Sequence, residues 1–172
     1  RVMDEFRSEI NLARVLGKPA EVIVQFQQAN AAGVTLPAIC HLQLAESQFD
    51  QYQVSEAMTT LQRLKTMEMP DSMRGRVALL EGTHLLGEDE KRGRELLTSA
   101  KRLEVTEADR LFAEAMLQTN TSTAAERALK AIELDSRHLQ ARSMAGILLV
   151  TLGRHDEAIE LATASKQLFP AH

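Results

Sequence analysis

Residues 139–172 read LQARSMAGILLVTLGRHDEAIELATASKQLFPAH, the clearest key to the architecture of this chain. Apolar residues recur at helical spacing up to Leu152-Gly153, resume from about Asp156 to Leu168, and stop before Pro170. Glycine ends helices because it takes left-handed backbone without a Cβ penalty, and proline cannot continue one. The stretch is therefore a helix-turn-helix hairpin. Upstream by 34 residues, TEADRLFAEAMLQTNTSTAAERALKAIELDSRH repeats the design, with Ala124, Ala128 and Ala131 on one helical face. A unit of this length cannot bury its apolar face alone, so its recurrence implies a stack of hairpins.

Both segments resemble tetratricopeptide repeats. In the last one the matching residues are Gly146, Leu149, Gly153, Ala158, Ser165 and Pro170; in the repeat from Val105 they are Ala124, Ala128 and Ala131, with Ser136 where proline is usual. The family's frequent tryptophan is replaced by Arg142 and Ala108. The small residues matter because two antiparallel helices approach closely only where one side is Gly, Ala or Ser, and large neighbours then fill the gap. Working toward the N-terminus, a repeat from Met3 carries Leu16-Gly17, Phe26 and Ala29, and one from Ala38 carries Ala45, Ala57, Leu61, Leu64 and Pro70. A repeat from Asp71 carries Ala78, Leu97 and Ala100 if three extra residues are placed in the GEDEK turn. Repeats at 3–36, 38–70, 71–104, 105–138 and 139–172 then span one all-α domain. The resemblance implies a right-handed superhelical solenoid of antiparallel helix pairs.

The corresponding helices are predicted near 3–16, 19–31, 37–50, 54–68, 72–86, 89–103, 106–118, 122–134, 138–151 and 155–168. Local chemistry supports several starts: Pro19 suits a first helical turn, Thr106 with Asp109 resembles a capping box, and Asp71 and Asn120 are cap-like.

Composition agrees with helices and excludes other classes. Leu and Ala supply 47 of 172 residues, Val and Ile only 15, and aromatic residues 3%, which argues against a sandwich, barrel or parallel sheet. A net charge of -4 without a basic tail argues against nucleic acid as partner. No apolar run approaches the ~20 residues of a membrane span. Opening at Arg1 rather than Met, the chain reads as part of a longer polypeptide. We expect it to be cytoplasmic, with a periplasmic or membrane-tethered parent as the alternative.

Catalytic constellations are not evident. His41, His84, His138, His155 and His172 are scattered, none with a second His or Cys one helical turn away, so neither a metal nor another cofactor is expected. Cys40, the single cysteine, adjoins His41, but successive helical positions point about 100° apart and do not make a nucleophile and base pair. A buried thiol beside a partly exposed imidazole is expected. Met58, Met67, Met69 and Met73 read as a loosely packed core between repeats, with a contact site as the other reading. The chain is not expected to be an enzyme.

What the resemblance implies instead is protein binding by an adaptor, scaffold or regulatory domain. In the family, the first helix of each repeat lines a concave groove that receives a peptide or extended segment. Carried onto this sequence, the groove side chains are Arg7, Asn11, Arg14, Gln43, Glu46, Arg76, Leu79, Asp109, Arg110, Ala113, Met116, Ser143, Met144 and Ile147. Members that grip the acidic C-terminus of heat-shock chaperones use a carboxylate clamp whose slots hold Arg7, Asn11, Gln43, Ser72 and Arg76 here, with Ser72 lacking the charge. Cations beside an amide favour an acidic peptide. The alternative function is self-association or a spacer role through the solenoid ends, because Ile159 and Phe169 are expected on an uncovered terminal face, with Lys166 a partial polar cap.

Overall fold

Side-chain oxygens and ring nitrogens mark four of the helix starts. A computed structural model describes residues 2–169. In chain order its helices are α1 (Val2–Val15), α2 (Pro19–Ala31), α3 (Ala38–Asp50), α4 (Val54–Leu64), α5 (Asp71–Leu85), α6 (Glu90–Ala100), α7 (Glu107–Leu117), α8 (Thr121–Leu134), α9 (Leu139–Thr151) and α10 (His155–Leu168). Thr106 accepts the Asp109 N–H at 3.1 Å, Asn120 that of Thr123 at 2.9 Å, and Asp89 that of Arg92 at 3.1 Å. At α9 the cap is His138, whose Nδ1 accepts the Ala141 N–H at 3.2 Å. Each satisfies an amide that a helix start leaves without a partner. Pro19 opens α2 as predicted. Pro170 and His172 lie outside the described residues.

The chain is all-α, without a strand among the described residues, and neighbouring helices pack in pairs as in a helical solenoid. Two helices end earlier than predicted. Beyond Lys65 and Lys101 the amides reach three residues back instead of four, as in Met67 N–H to Leu64 O and Leu103 N–H to Ala100 O, so the last turns tighten and unwind. The insertion in the third hairpin is also placed differently. Its turn, Leu86–Asp89, has one residue more than the other hairpin turns, and the rest is absorbed by the 15-residue α5.

Turns repeat one piece of backbone. Lys18, Gln53 and Arg154 donate their N–H groups to the carbonyls of Ala13, Gln48 and Leu149, five residues back, at 2.9, 2.8 and 2.9 Å. This closure needs a left-handed residue just before the donor. Gly17 (φ 67°) and Gly153 (φ 72°) supply it, but in the second hairpin it is Tyr52 (φ 58°), whose side chain is 88% exposed. Nothing in the ring's packing offsets that backbone cost. Tyr52→Gly should therefore stabilise the protein by about 1 kcal/mol, seen as a higher urea midpoint. An unchanged midpoint would mean that the turn is not strained.

Two compact units divide the chain, one ending at Met73 and the other beginning at Arg74. In the first, α1 to α4 enclose Ile10, Val22, Phe26, Ala29, Cys40 and Leu44. In the second, the main core joins Leu79, Leu97, Leu111, Phe112, Ala131 and Ala141. Ala45, Ala57, Ala124 and Ala128 are buried as the small-residue pattern predicted. Gly146 departs from that pattern, because a Cβ there would meet nothing within 4 Å. Close helix contact without a Cβ occurs instead between α5 and α6, at Gly82 and Gly93.

Candidate functional site

Along the first unit, α1 and α3 present a continuous polar face. Arg14 bridges two carboxylates of α3: its Nη1 lies 2.7 Å from Asp50 Oδ2 and its Nη2 3.1 Å from Glu46 Oε2. One helical turn earlier, Gln43 Nε2 donates to Asn11 Oδ1 at 3.2 Å. A further turn back lies the exposed Arg7, and Arg7, Asn11 and Gln43 share a depression of about 370 Å³ with Asp4, Ser8 and Ile39. The five predicted groove residues of this unit thus do come together. Their charge balance is less basic than the arginines alone imply, because Glu46 and Asp50 neutralise Arg14 and Asp4 also lines the depression. Asp50 was not among the residues singled out; its spacing of four from Glu46 on one helix was the available signal.

In the second unit Asp109 is a structural centre. Arg76 Nη1 lies 2.5 Å from its Oδ1 and His138 Nε2 3.2 Å from the same oxygen, while Arg76 Nη2 reaches Gln140 Oε1 at 3.5 Å. Burial pushes the Asp109 carboxyl up, but the His138 hydrogen bond and the Arg76 charge more than reverse this and hold it at about 2. Because His138 Nδ1 accepts the Ala141 amide, the ring proton sits on Nε2 and points at Asp109. Both ring nitrogens are committed, so the arrangement ties α5, α7 and the start of α9 together and leaves no base for a nucleophile. Arg76 and Asp109 accordingly spend their charges on each other.

Several predicted groove residues are placed elsewhere. Leu79 and Ala113 are buried in the core of the second unit, where Leu79 packs with Leu97 and Phe112, and Met116 and Met144 are half-buried against it. Arg110 turns to Glu107 on its own helix at 3.0 Å. Ser143 and Ile147 line a groove between α9 and α10. Ala113 departs from expectation because α7 is buried around much of its circumference, at Ala108, Asp109, Leu111, Phe112, Ala113 and Ala115. His41 also departs from expectation. It is buried, edge-on to Phe26 with ring centroids 4.9 Å apart, and burial, with the Arg63 charge, holds its pKa down. Burial pushes the adjacent Cys40 thiol up, against a smaller effect of Arg7, which makes it a poor nucleophile. Met58, Met67, Met69 and Met73 are half-buried.

Among the described residues no group of three or more His, Cys, Asp or Glu is arranged to hold a metal ion, and no helix is long and apolar enough to cross a membrane. A scan of protein-family models and a search of curated proteins return no match to this chain.

Proposed function

We propose that this chain is a tetratricopeptide-type repeat module that binds a protein segment without catalysis, and that the α1–α3 face of its first unit is the binding surface. The supporting observation is the depression in which the exposed Arg7 guanidinium stands beside the Asn11–Gln43 amide pair. A guanidinium makes forked, charge-assisted hydrogen bonds to a carboxylate, and adjacent amides supply further donors and acceptors. The ligand class is thus a peptide carrying a carboxylate, either a side chain or a C-terminus. Helices hold these groups in place before binding, which keeps the ordering cost low, as an adaptor or scaffold requires.

Arg7→Glu tests this cleanly, because Arg7 is exposed and its replacement leaves the core intact. Arg76→Glu does not, because it would break the pair with Asp109. On an array of acidic and C-terminal peptides, wild-type protein should select carboxylate-bearing sequences. Arg7→Glu should bind them roughly 10- to 100-fold more weakly, the range expected for a charge-assisted hydrogen bond of about 1.5–3 kcal/mol. Equal binding by a folded Arg7→Glu variant, or no selection by the wild type, would set the proposal aside.

A further inference from the structure

The last helix pair of the second unit is built like its interior, but no described helix packs on the outer face of α10. Aligned from their first residues, Thr121 and His155, α8 and α10 place Ala125 opposite Ile159, Ala128 opposite Ala162, Ala131 opposite Ser165 and Ile132 opposite Lys166. Where α9 packs on α8, Ala125 is 0% exposed; the matching Ile159 is 64% exposed, and α10 has no fully buried residue. The same holds one helix earlier, where Ala113 of α7 is 1% exposed and Ile147 of α9 is 69% exposed.

Between α9 and α10 lies a groove of about 420 Å³, floored by Gly146, Leu161 and Ala162. Gly146 sits in mid-helix, where glycine costs roughly 0.5–1 kcal/mol relative to alanine, and among the described residues no atom lies within 4 Å of where its Cβ would stand. The groove is also charged in one sense. Arg142 and Lys166 line it and none of its described lining residues is acidic. The Arg142 guanidinium is buried and donates to neutral oxygens, the Ser136 carbonyl at 2.6 Å and Ser165 Oγ at 3.1 Å.

We infer that this groove receives α1 of a second copy of the chain, so that molecules associate head to tail. The turn glycines Gly17 and Gly153 put α1 and α9 in register, matching Glu5 to Ala141, Glu9 to Ala145 and Leu12 to Leu148. Ala141 and Ala145 are fully buried and cluster with Ala131 and Ala128 of α8. The matching residues, Glu5, Glu9 and Leu12 of α1 and Leu16 in the turn after it, are exposed. Docked as α9 docks on α8, the second copy's α1 puts Glu5 over Ser165, between Arg142 and Lys166, and Glu9 over Ala162. Glu5 thus stands where α9 has an alanine, beside the Lys166 that α10 carries in place of Ile132, whereas Glu9 faces an alanine in both cases. Leu12 and Leu16 add apolar area on the same stripe.

This stripe is distinct from the one carrying Arg7 and Asn11, so the inference does not depend on the peptide-binding proposal. The two surfaces differ from each other, and such a contact does not close at two copies by symmetry.

Sedimentation velocity of the full chain over a hundredfold concentration range tests the inference, with folding checked by circular dichroism. The wild type should gain mass with concentration. Lys166→Glu alone and Glu5→Lys with Glu9→Lys alone should each associate at least tenfold more weakly, all three positions being exposed. Mixing the two variants should restore association, because each retains the wild-type surface that the other lacks. Arg7→Glu should leave it unchanged. A wild type that stays monomeric throughout overturns the inference, whether the groove takes another protein's helix or nothing. Association that is insensitive to both charge variants also overturns it.

Discussion

Gly93→Ala is expected to lower stability by about 3 kcal/mol, the upper part of the range for overpacking. An alanine in an exposed helix interior normally gains up to about 1 kcal/mol over glycine, so the sign here is set by packing. A Cβ on Gly93 would stand 2.6 Å from Leu86 N, 2.9 Å from Leu86 Cα and 3.0 Å from Gly82 O. All three are backbone atoms, which cannot rotate away as a side-chain tip can. Separating the helices would in turn loosen Leu97, which is fully buried in the core of the second unit. Gly146→Ala is the internal comparison: with nothing within 4 Å of its Cβ, only the helix-propensity gain remains and stability should rise slightly. Urea denaturation of both variants measures the contrast. Equal shifts in the two would show that α5 and α6 do not meet as described.

Asp109→Ala should cost a similar amount, about 3 kcal/mol, because it leaves the Arg76 guanidinium and the His138 Nε2–H without their acceptor in a largely dry setting. The wild-type contribution also has a defined pH dependence. The folded carboxyl titrates at about 2, below the ordinary value of 3.8. A depressed carboxylate stabilises the protein above its unfolded pKa, and this stabilisation is lost as pH falls from about 4 toward 2. By linkage, the amount lost is about 2 kcal/mol. Wild type and Asp109→Ala should therefore differ widely at pH 7 and converge toward pH 2. A difference that persists undiminished at pH 2 would falsify the assignment of the shift to this network.

The candidate site was only partly legible beforehand. Arg7, Asn11, Gln43, Arg14 and Glu46 were named because the resemblance to tetratricopeptide repeats carries that family's groove positions onto them, and the structure sets them together on α1 and α3. Sequence spacing does not say which charges answer one another, so the neutralisation of Arg14 by Asp50 and the diversion of Arg76 to Asp109 went unseen. His138 looked like a scattered histidine, whereas it caps α9 and completes the Asp109 network. Its role depends on the distance between α7 and the start of α9, which no local pattern encodes.

Local chemistry was enough for the ten helices and for the turns at Gly17 and Gly153. Periodicity, caps and left-handed glycines act within a few residues of each other, and those interactions are written along the chain. Packing between helices settled the rest. Whether a glycine is required depends on what faces it, which is why Gly93 cannot accept a Cβ and Gly146 can. Whether an arginine is available depends on the nearest carboxylate in space, which separates Arg7 from Arg14 and Arg76. Burial and charge pairing are properties of surfaces brought together from distant parts of the chain, so they exist only once the helices have docked.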